Sequence, residues 1–283
     1  MKQLPIGIYE KALPFKIDWP ERLATAREVG FDFVEISIDE SDERLNRLDW
    51  TAKQRAGLRT AIADSGVPII TMCLSGHRRY PLGSADAAIR RRAFDIMQQA
   101  VDFAVDIGIR IIQLAGYYVY YEPHIEHSLP RYQEGLARGL EWASKAGVML
   151  ALENVDGNDV DSVTQAMVFV NAFNSPWFQV YPDIGNLSEH RLDVCTELEL
   201  ARGHMVGLHV KDTVPGEPRR VPFGAGTVPF VAAFQKLAQM NFTGPVLLEM
   251  WNDDSPDSLR IVHESRQWVL ARMQEGGLIS EYA

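Results

Sequence analysis

The stretch AVDIGIRIIQLAGY, residues 104–117, ends an amphipathic segment at Gly108 and passes directly into an apolar, β-branched run. A glycine at this point supplies the left-handed backbone that ends a helix and turns the chain back. The same order of amphipathic segment, glycine and apolar run recurs at Gly30, Gly66 and Gly147. This repetition predicts helices that alternate with parallel strands.

Eight such runs read as strands, and several are apolar at successive positions, as in parallel strands buried on both faces. Eight strand–helix units within 283 residues are typical of an α/β fold of the (β/α)8 TIM-barrel type. No linker-like stretch divides the chain, so we predict a single domain over residues 1–283. The alternative, a doubly wound open sheet, would need a glycine-rich phosphate fingerprint after an early strand, and none is present. The predicted strands are 4–10, 31–38, 67–75, 109–117, 148–155, 178–186, 205–212 and 244–251, and the predicted helices include 19–30, 84–108, 130–147 and 228–241.

Charge and composition narrow the range of partners. The net charge of −10 argues against a nucleic acid, because binding to a phosphate backbone needs a basic face. The sequence has no run of 18 apolar residues and no signal-peptide pattern, so we expect no membrane association. Cys73 and Cys195 show no metal or redox spacing and fit reduced thiols in a cytoplasmic protein. We therefore predict a cytoplasmic protein that acts on a small molecule.

Four consecutive predicted strands each end in one potential metal ligand: Glu153, Asp183, His209 and Glu249. The active site of a TIM barrel lies at the carboxyl ends of its strands, and consecutive strands are neighbours, so these four side chains should converge. Three carboxylates and one imidazole suit Mn²⁺, Mg²⁺, Co²⁺ or Zn²⁺. Each residue alone has an ordinary structural explanation, but their coincidence at successive strand ends favours a site for one divalent metal ion.

The order of motifs, E … YPDIGN … HVKD … FGAG … LLEMW, resembles the xylose-isomerase-like TIM-barrel superfamily. The segments SGHRRYPLGS (75–84) and AGYYVYY (115–121) resemble more narrowly the 3-epimerases that interconvert L-xylulose 5-phosphate and L-ribulose 5-phosphate. Two places depart from the family pattern. Pro229 stands where the family has an acidic residue. The segment NVDGND (154–159), directly after Glu153, differs from the sequence with an MD pair that the family has there.

The resemblance implies that all four residues bind the metal, with Glu153 and Glu249 as an acid–base pair. One glutamate would remove the C3 proton to give a cis-enediolate, and the other would return a proton to the opposite face. The resemblance also implies a homodimer and a place in the breakdown of L-ascorbate or a related pentose.

A phosphorylated substrate needs a cationic contact, and His77, Arg78 and Arg79 after the third strand are the best candidates, because arginine suits phosphate. Lys211, two residues beyond His209, should point to the same side of its strand, where it either contacts substrate oxygens or pairs with an acidic neighbour. Tyr117 is a candidate wall of the sugar site. The remaining charges near the strand ends have simpler interpretations: Glu10 and Glu35 as ion-pair partners, and Arg219 and Arg220 as surface charges.

Three other functions stay open at this point. The same four ligands would serve an epimerase or isomerase of an unphosphorylated ketose. A metal-dependent phosphodiesterase or nuclease shares the barrel but usually has more histidine ligands and a basic groove. A non-catalytic sugar-phosphate-binding protein would need the metal but would not exchange the C3 proton.

Overall fold

In the computed structural model, which describes residues 4–280, the eight predicted runs form one sheet of eight parallel strands. The ends of the predicted domain, residues 1–3 and 281–283, lie outside the described residues. The strands in chain order are β1 (Ile6–Tyr9), β2 (Phe33–Ile38), β3 (Ile69–Leu74), β4 (Ile111–Ala115), β5 (Met149–Glu153), β6 (Phe178–Val180), β7 (Leu208–Val210), β8 (Asp212–Val214), β9 (Glu217–Val221) and β10 (Val246–Leu248). Strands β8 and β9 form a separate antiparallel hairpin, and the large sheet has the order β6-β5-β4-β3-β2-β1-β10-β7.

The two ends of the large sheet meet and close it into a barrel. Val180 pairs with Met205, and Asp183 pairs with His209, both in the parallel sense. The amide of His209 donates to the carbonyl of Pro182 over 2.8 Å. This closure confirms the (β/α)8 TIM barrel and rules out the open doubly wound sheet.

Helices follow the strands around the barrel. They are α1 (Trp19–Val29), α2 (Asp42–Leu45), α3 (Ala52–Ser65), α4 (Ala87–Ile107), α5 (Ser128–Ala146), α6 (Val163–Phe173), α7 (Ile184–Glu189), α8 (Val194–Leu200), α9 (Phe230–Gln239) and α10 (Ser258–Glu275), with short 3-10 turns at Glu10–Ala12, Asn46–Asp49 and Gly76–Arg78. Within residues 4–280, none of them has the length and apolar character needed to cross a membrane.

The four glycines that the sequence marked as helix ends have the expected backbone. Gly30, Gly66, Gly108 and Gly147 follow α1, α3, α4 and α5 with φ of 95°, 70°, 90° and 70°. Each caps its helix in the left-handed region, where a side chain would be strained. The strands are buried throughout, and all six residues of β2 are shielded from solvent.

Two predicted strands are longer than the strands that the structure shows. The run predicted as a strand over 178–186 stops at Val180, and α7 begins at Ile184 with Asp183 as its N-cap. The run predicted over 205–212 is reduced to Leu208–Val210, and Asp212 already belongs to the hairpin. The hairpin was not predicted, because its second strand, EPRRV, is polar and contains a proline.

Candidate metal centre and substrate cavity

The four residues at the ends of β5, β6, β7 and β10, hereafter the quartet, meet at one point of the barrel mouth. Each of Glu153, Asp183, His209 and Glu249 offers one ligand atom, and these atoms all lie within 4.8 Å of one another. Nδ1 of His209 lies 2.7 Å from Oε1 of Glu153 and 3.9 Å from Oε2 of Glu249. The convergence predicted from strand order is confirmed.

Local structure fixes the Asp183 carboxylate. Oδ1 accepts hydrogen bonds from the amides of Gly185 and Asn186 over 2.8 and 3.2 Å, as the N-cap of α7. Asp183 is fully buried, and its Oδ2 lies 2.7 Å from Nζ of Lys211. The cap therefore holds one oxygen and leaves the other directed at the quartet.

The two nitrogens of His209 have different partners. Nε2 lies 2.9 Å from Oε1 of Glu35, which comes from β2 on the far side of the barrel. A carboxylate at Nε2 favours a proton there, so that a metal which replaced the contact between Nδ1 and Glu153 would be bound by the Nδ1 lone pair. Glu35 thus has the ion-pair role expected from the sequence, with a ligand histidine as its partner.

Amide side chains hold the end of β5. Oε2 of Glu153 accepts a hydrogen bond from Gln113 on β4. The side chain of Asn154 pairs with the backbone of Asp183 in both directions, over 3.0 and 2.9 Å. Asn154 therefore extends the β5–β6 contact beyond the backbone ladder. Sequence reasoning missed both amides; the EN pair at residues 153–154 was the available signal for Asn154.

The carboxyl groups differ in their electrostatic settings. Burial raises the pKa of Glu153 by more than the nearby His209 lowers it. Burial raises the pKa of Asp183 to about 7, although Lys211 acts against this rise. Burial also disfavours the charged form of Glu249, but Lys211 and His209 outweigh it and bring its pKa down to about 2. The two predicted acid–base residues are therefore shifted in opposite directions.

These residues fit a divalent metal ion. The buried carboxylates of Glu153 and Asp183, the partly buried carboxylate of Glu249 and the Nδ1 of one imidazole form an oxygen-rich set with no thiolate, as Mn²⁺, Mg²⁺, Co²⁺ and Zn²⁺ accept. Carboxylates gathered in a buried site are costly without a cation, and the oxygens of Asp183 and Glu249 that face the site have the ammonium of Lys211 as their neighbour. The quartet is a candidate site for one divalent ion, whose identity the ligand set leaves open.

A cavity of about 280 Å³ opens beside the quartet, and it reaches Arg78 at its other end. The guanidinium of Arg78 lies 5.1 and 5.3 Å from the ring centres of Tyr117 and Tyr120, and its Nη2 donates to the Tyr117 hydroxyl over 3.3 Å. No carboxylate lies within ion-pair distance of Arg78 in the described chain, and its Nε has no hydrogen bond there. Because arginine is always charged, this part of the cavity carries an uncompensated positive charge.

Arg219 lies at the same end of the cavity, where it forms an ion pair with Asp156. Nη2 of Arg219 is 2.5 Å from Oδ2 of Asp156, and the Tyr117 hydroxyl donates to the other oxygen. Arg78, Arg219, Tyr117 and Asp156 are hereafter the basic end of the cavity. Arg219, expected to be a surface charge, is 34% exposed, but the hairpin β8–β9 also brings it into the lining of the cavity.

The segment NVDGND, which departs from the family pattern, builds part of this end. It supplies Asp156, and a side chain added at Gly157 would lie 2.8 Å from the Tyr117 ring.

The three residues after β3 have separate positions. Arg78 lines the cavity, whereas His77 is buried with Nε2 3.1 Å from the carbonyl of Ala93 in α4. Arg79 is exposed and lies 2.5 Å from Asp42. Neither His77 nor Arg79 lines the cavity, so their positions do not fit the expected substrate contacts. Lys211 and Tyr117 line it as expected.

Sequence comparison places the chain among known proteins. Residues 23–272 match the family described as xylose isomerase-like TIM barrel. The chain is 50% identical over 278 residues to the L-ribulose-5-phosphate 3-epimerase UlaE of Escherichia coli O1:K1 / APEC, and it is 49% identical to that of Salmonella heidelberg (strain SL476). In each case the match covers 98% of both chains.

Solved structures agree with the fold. A structure of L-ribulose 3-epimerase matches with a TM-score of 0.80 at 21% identity, over 97% of this chain and 96% of the other. A D-psicose 3-epimerase from Clostridium cellulolyticum H10, with D-tagatose, matches with a TM-score of 0.81 at 17% identity, over 96% and 99%. These identities show a shared barrel and carry nothing about the substrate. With half of its residues identical to the curated relatives over nearly their whole length, the chain belongs to the L-ribulose-5-phosphate 3-epimerase family of xylose isomerase-like TIM barrels, a family of isomerases.

Proposed function

We propose that this isomerase is a metal-dependent 3-epimerase that interconverts L-xylulose 5-phosphate and L-ribulose 5-phosphate. The observation that carries the proposal is the cavity, which joins the acidic quartet to Arg78. Among residues 4–280, Arg78 has no acidic partner. The names of the relatives at 50% identity support the same substrate class.

Glu153 and Glu249 act as the acid–base pair on opposite faces of the substrate. The carbon next to a ketone loses its proton only when a base is positioned beside it and the negative charge on the oxygens is stabilised. When bound at the quartet, a divalent ion supplies that stabilisation as a Lewis acid.

The basic end binds the phosphate group. Arg78 is held flat by contacts with Tyr117 and Tyr120, so little side-chain freedom is lost when it binds an anion. Arg219 adds a second guanidinium, and Tyr117 closes the wall between the phosphate and the quartet. Lys211 contacts sugar oxygens near the reacting carbon.

The deciding experiment is proton NMR of L-xylulose 5-phosphate incubated with the enzyme in D₂O, with and without Mn²⁺, on samples freed of metal before measurement. We expect the C3 proton signal to disappear and L-ribulose 5-phosphate to appear only when Mn²⁺ is present. Binding of the sugar phosphate without C3 exchange would contradict the proposal and indicate a binding protein.

The same assay with free ketoses separates the remaining alternative. Arg78 predicts a strong preference for the phosphorylated sugar. Equal kcat/KM values for L-xylulose and its 5-phosphate would assign the enzyme to unphosphorylated ketoses.

We further propose that the protein is a cytoplasmic homodimer. Exposed apolar side chains in one segment beside the cavity mouth, Tyr121, Ile125 and Leu129, support a contact with a second copy. Sedimentation analysis of the purified protein distinguishes the dimer from a monomer of 31.8 kDa.

A further inference from the structure

The amine of Lys211 lies among the metal ligands. Nζ is 2.7 Å from Oδ2 of Asp183 and 3.1 Å from Oε2 of Glu249. The lysine side chain is 6% exposed, so water screens these contacts little. Two of the four proposed ligands thus have a protein cation as their neighbour.

The chain provides space for this lysine. A side chain added at Gly185, in the first turn of α7, would lie 2.4 Å from Cγ of Lys211. The aliphatic part of Lys211 therefore occupies the gap that a glycine leaves beside Asp183. Its place in the quartet follows from the packing of α7 against the end of β7.

The contacts are short ion pairs. Oδ2 of Asp183 and Oε2 of Glu249 both lie within reach of the ammonium. Since the amides of Gly185 and Asn186 occupy Oδ1, Oδ2 is also the oxygen that Asp183 can offer to a metal. The ammonium and a metal ion would need the same atoms.

We infer that Lys211 is a built-in counter-cation that occupies the quartet when no metal is bound and leaves it when the metal enters. The two cations compete for these oxygens, because a charge of +1 and a charge of +2 a few ångströms apart in a buried site repel each other. The ammonium keeps the empty site from being a cluster of unpaired buried carboxylates. On its release it becomes available to substrate oxygens in the cavity. This inference rests on the proposed metal site but not on the identity of the sugar.

The test compares Lys211→Met with Lys11→Met. Lys11 lines the same cavity but pairs with Asp39 over 2.6 Å, outside the quartet. Metal-stripped proteins are titrated with Mn²⁺ by calorimetry at fixed pH and salt. If the lysine-occupied state outnumbers the open one by about ten to one, removing the lysine tightens Mn²⁺ binding about tenfold. Lys11→Met should bind Mn²⁺ as the protein without substitutions does.

Thermal unfolding gives a further readout. The Tm of Lys211→Met should fall in the metal-free protein and recover in the Mn²⁺-saturated protein.

Unchanged or weaker Mn²⁺ binding by a folded Lys211→Met protein would overturn the inference and leave the proposed epimerase intact. If the protein without substitutions binds no divalent metal, both the proposed metal site and this inference are wrong. Lys211→Gln, which stays polar, serves if the methionine variant unfolds without metal.

Nitrogen NMR of ¹⁵N-lysine-labelled protein gives a second readout. The Lys211 amine resonance, identified by its loss in Lys211→Arg, should move when diamagnetic Mg²⁺ saturates the site. A resonance that stays in place through saturation would exclude displacement.

Discussion

The quartet and the basic end face each other across one cavity but are held in different ways. The quartet residues stand at or beside the ends of barrel strands, and backbone pairing between Asp183 and His209 fixes two of them directly. At the basic end, Arg78 is the last residue of a 3-10 turn and Arg219 lies on the hairpin. Their positions depend on side-chain contacts with Tyr117 and Asp156.

This difference separates chemistry from recognition. In a barrel the strands give a rigid frame, while the loops at its mouth vary and select the substrate. We therefore expect changes in the quartet to reduce turnover for every substrate, and changes at the basic end to reduce the preference for a phosphate.

The largest effect is expected for the acid–base pair. Glu153→Gln and Glu249→Gln each keep an oxygen for the metal but remove the proton-transfer group, so kcat should fall about a thousandfold. Steady-state kinetics and C3 exchange in D₂O measure the loss, and metal content by elemental analysis is the control. Full activity in a Glu153→Gln protein that keeps its metal would remove Glu153 from the mechanism.

The second prediction concerns the turn that carries Arg78. Burial lowers the pKa of His77 to about 4 from its ordinary value of 6.5. Between pH 6.5 and pH 4 the imidazole therefore stays neutral in the folded protein but takes up a proton in the unfolded protein. The stability that His77 contributes is therefore present above pH 6.5 and is lost as pH falls toward 4. This loss amounts to about 3 kcal/mol.

Urea unfolding of His77→Gln between pH 8 and pH 4 checks this sign. The variant should lose less stability on acidification than the unchanged protein, since glutamine does not titrate. His263→Gln, on the exposed face of α10, should leave the pH dependence as it is. Parallel curves for His77→Gln and the unchanged protein would contradict a neutral buried His77.

The difference in predictability between the two regions has a physical cause. Strand order alone brought the four ligands together, because neighbouring strands must end at the same rim of the barrel. Arg219 could not be placed in this way, since the polar hairpin has no apolar pattern and its path over the mouth depends on contacts distant in sequence. Asp212 is an example of such a contact. Its carboxylate accepts hydrogen bonds from the amides of Gly224 and Gly226 over 2.8 and 2.9 Å and so connects the hairpin to a later loop.

The third prediction tests the basic end directly. Arg78→Met should reduce kcat/KM for the phosphorylated ketose about thirtyfold, mainly through KM, because hydrogen bonds to a charged group contribute about 2 kcal/mol. Affinity for Mn²⁺ should not change. Arg79→Met is the matched control, since Arg79 pairs with Asp42 outside the cavity, and its kinetics should stay within about twofold. Equal losses in both variants would place the phosphate outside the basic end.

The smallest effect concerns the frame that leads into β3 and Arg78. Gly57 and Gly66 lie in and directly after α3, and a methyl group added at either meets no atom within 4 Å. They differ in backbone: Gly66 has φ of 70°, where alanine costs about 1 kcal/mol, while Gly57 is helical, where alanine gains about 0.5–1 kcal/mol. Thermal unfolding should therefore give opposite signs for Gly66→Ala and Gly57→Ala, with kcat unchanged in both. A methyl group has equal room at the two sites, so a change in Tm of the same sign in both variants would mean that backbone conformation does not govern this helix end. A change in kcat would mean that this part of the barrel and the basic end are coupled.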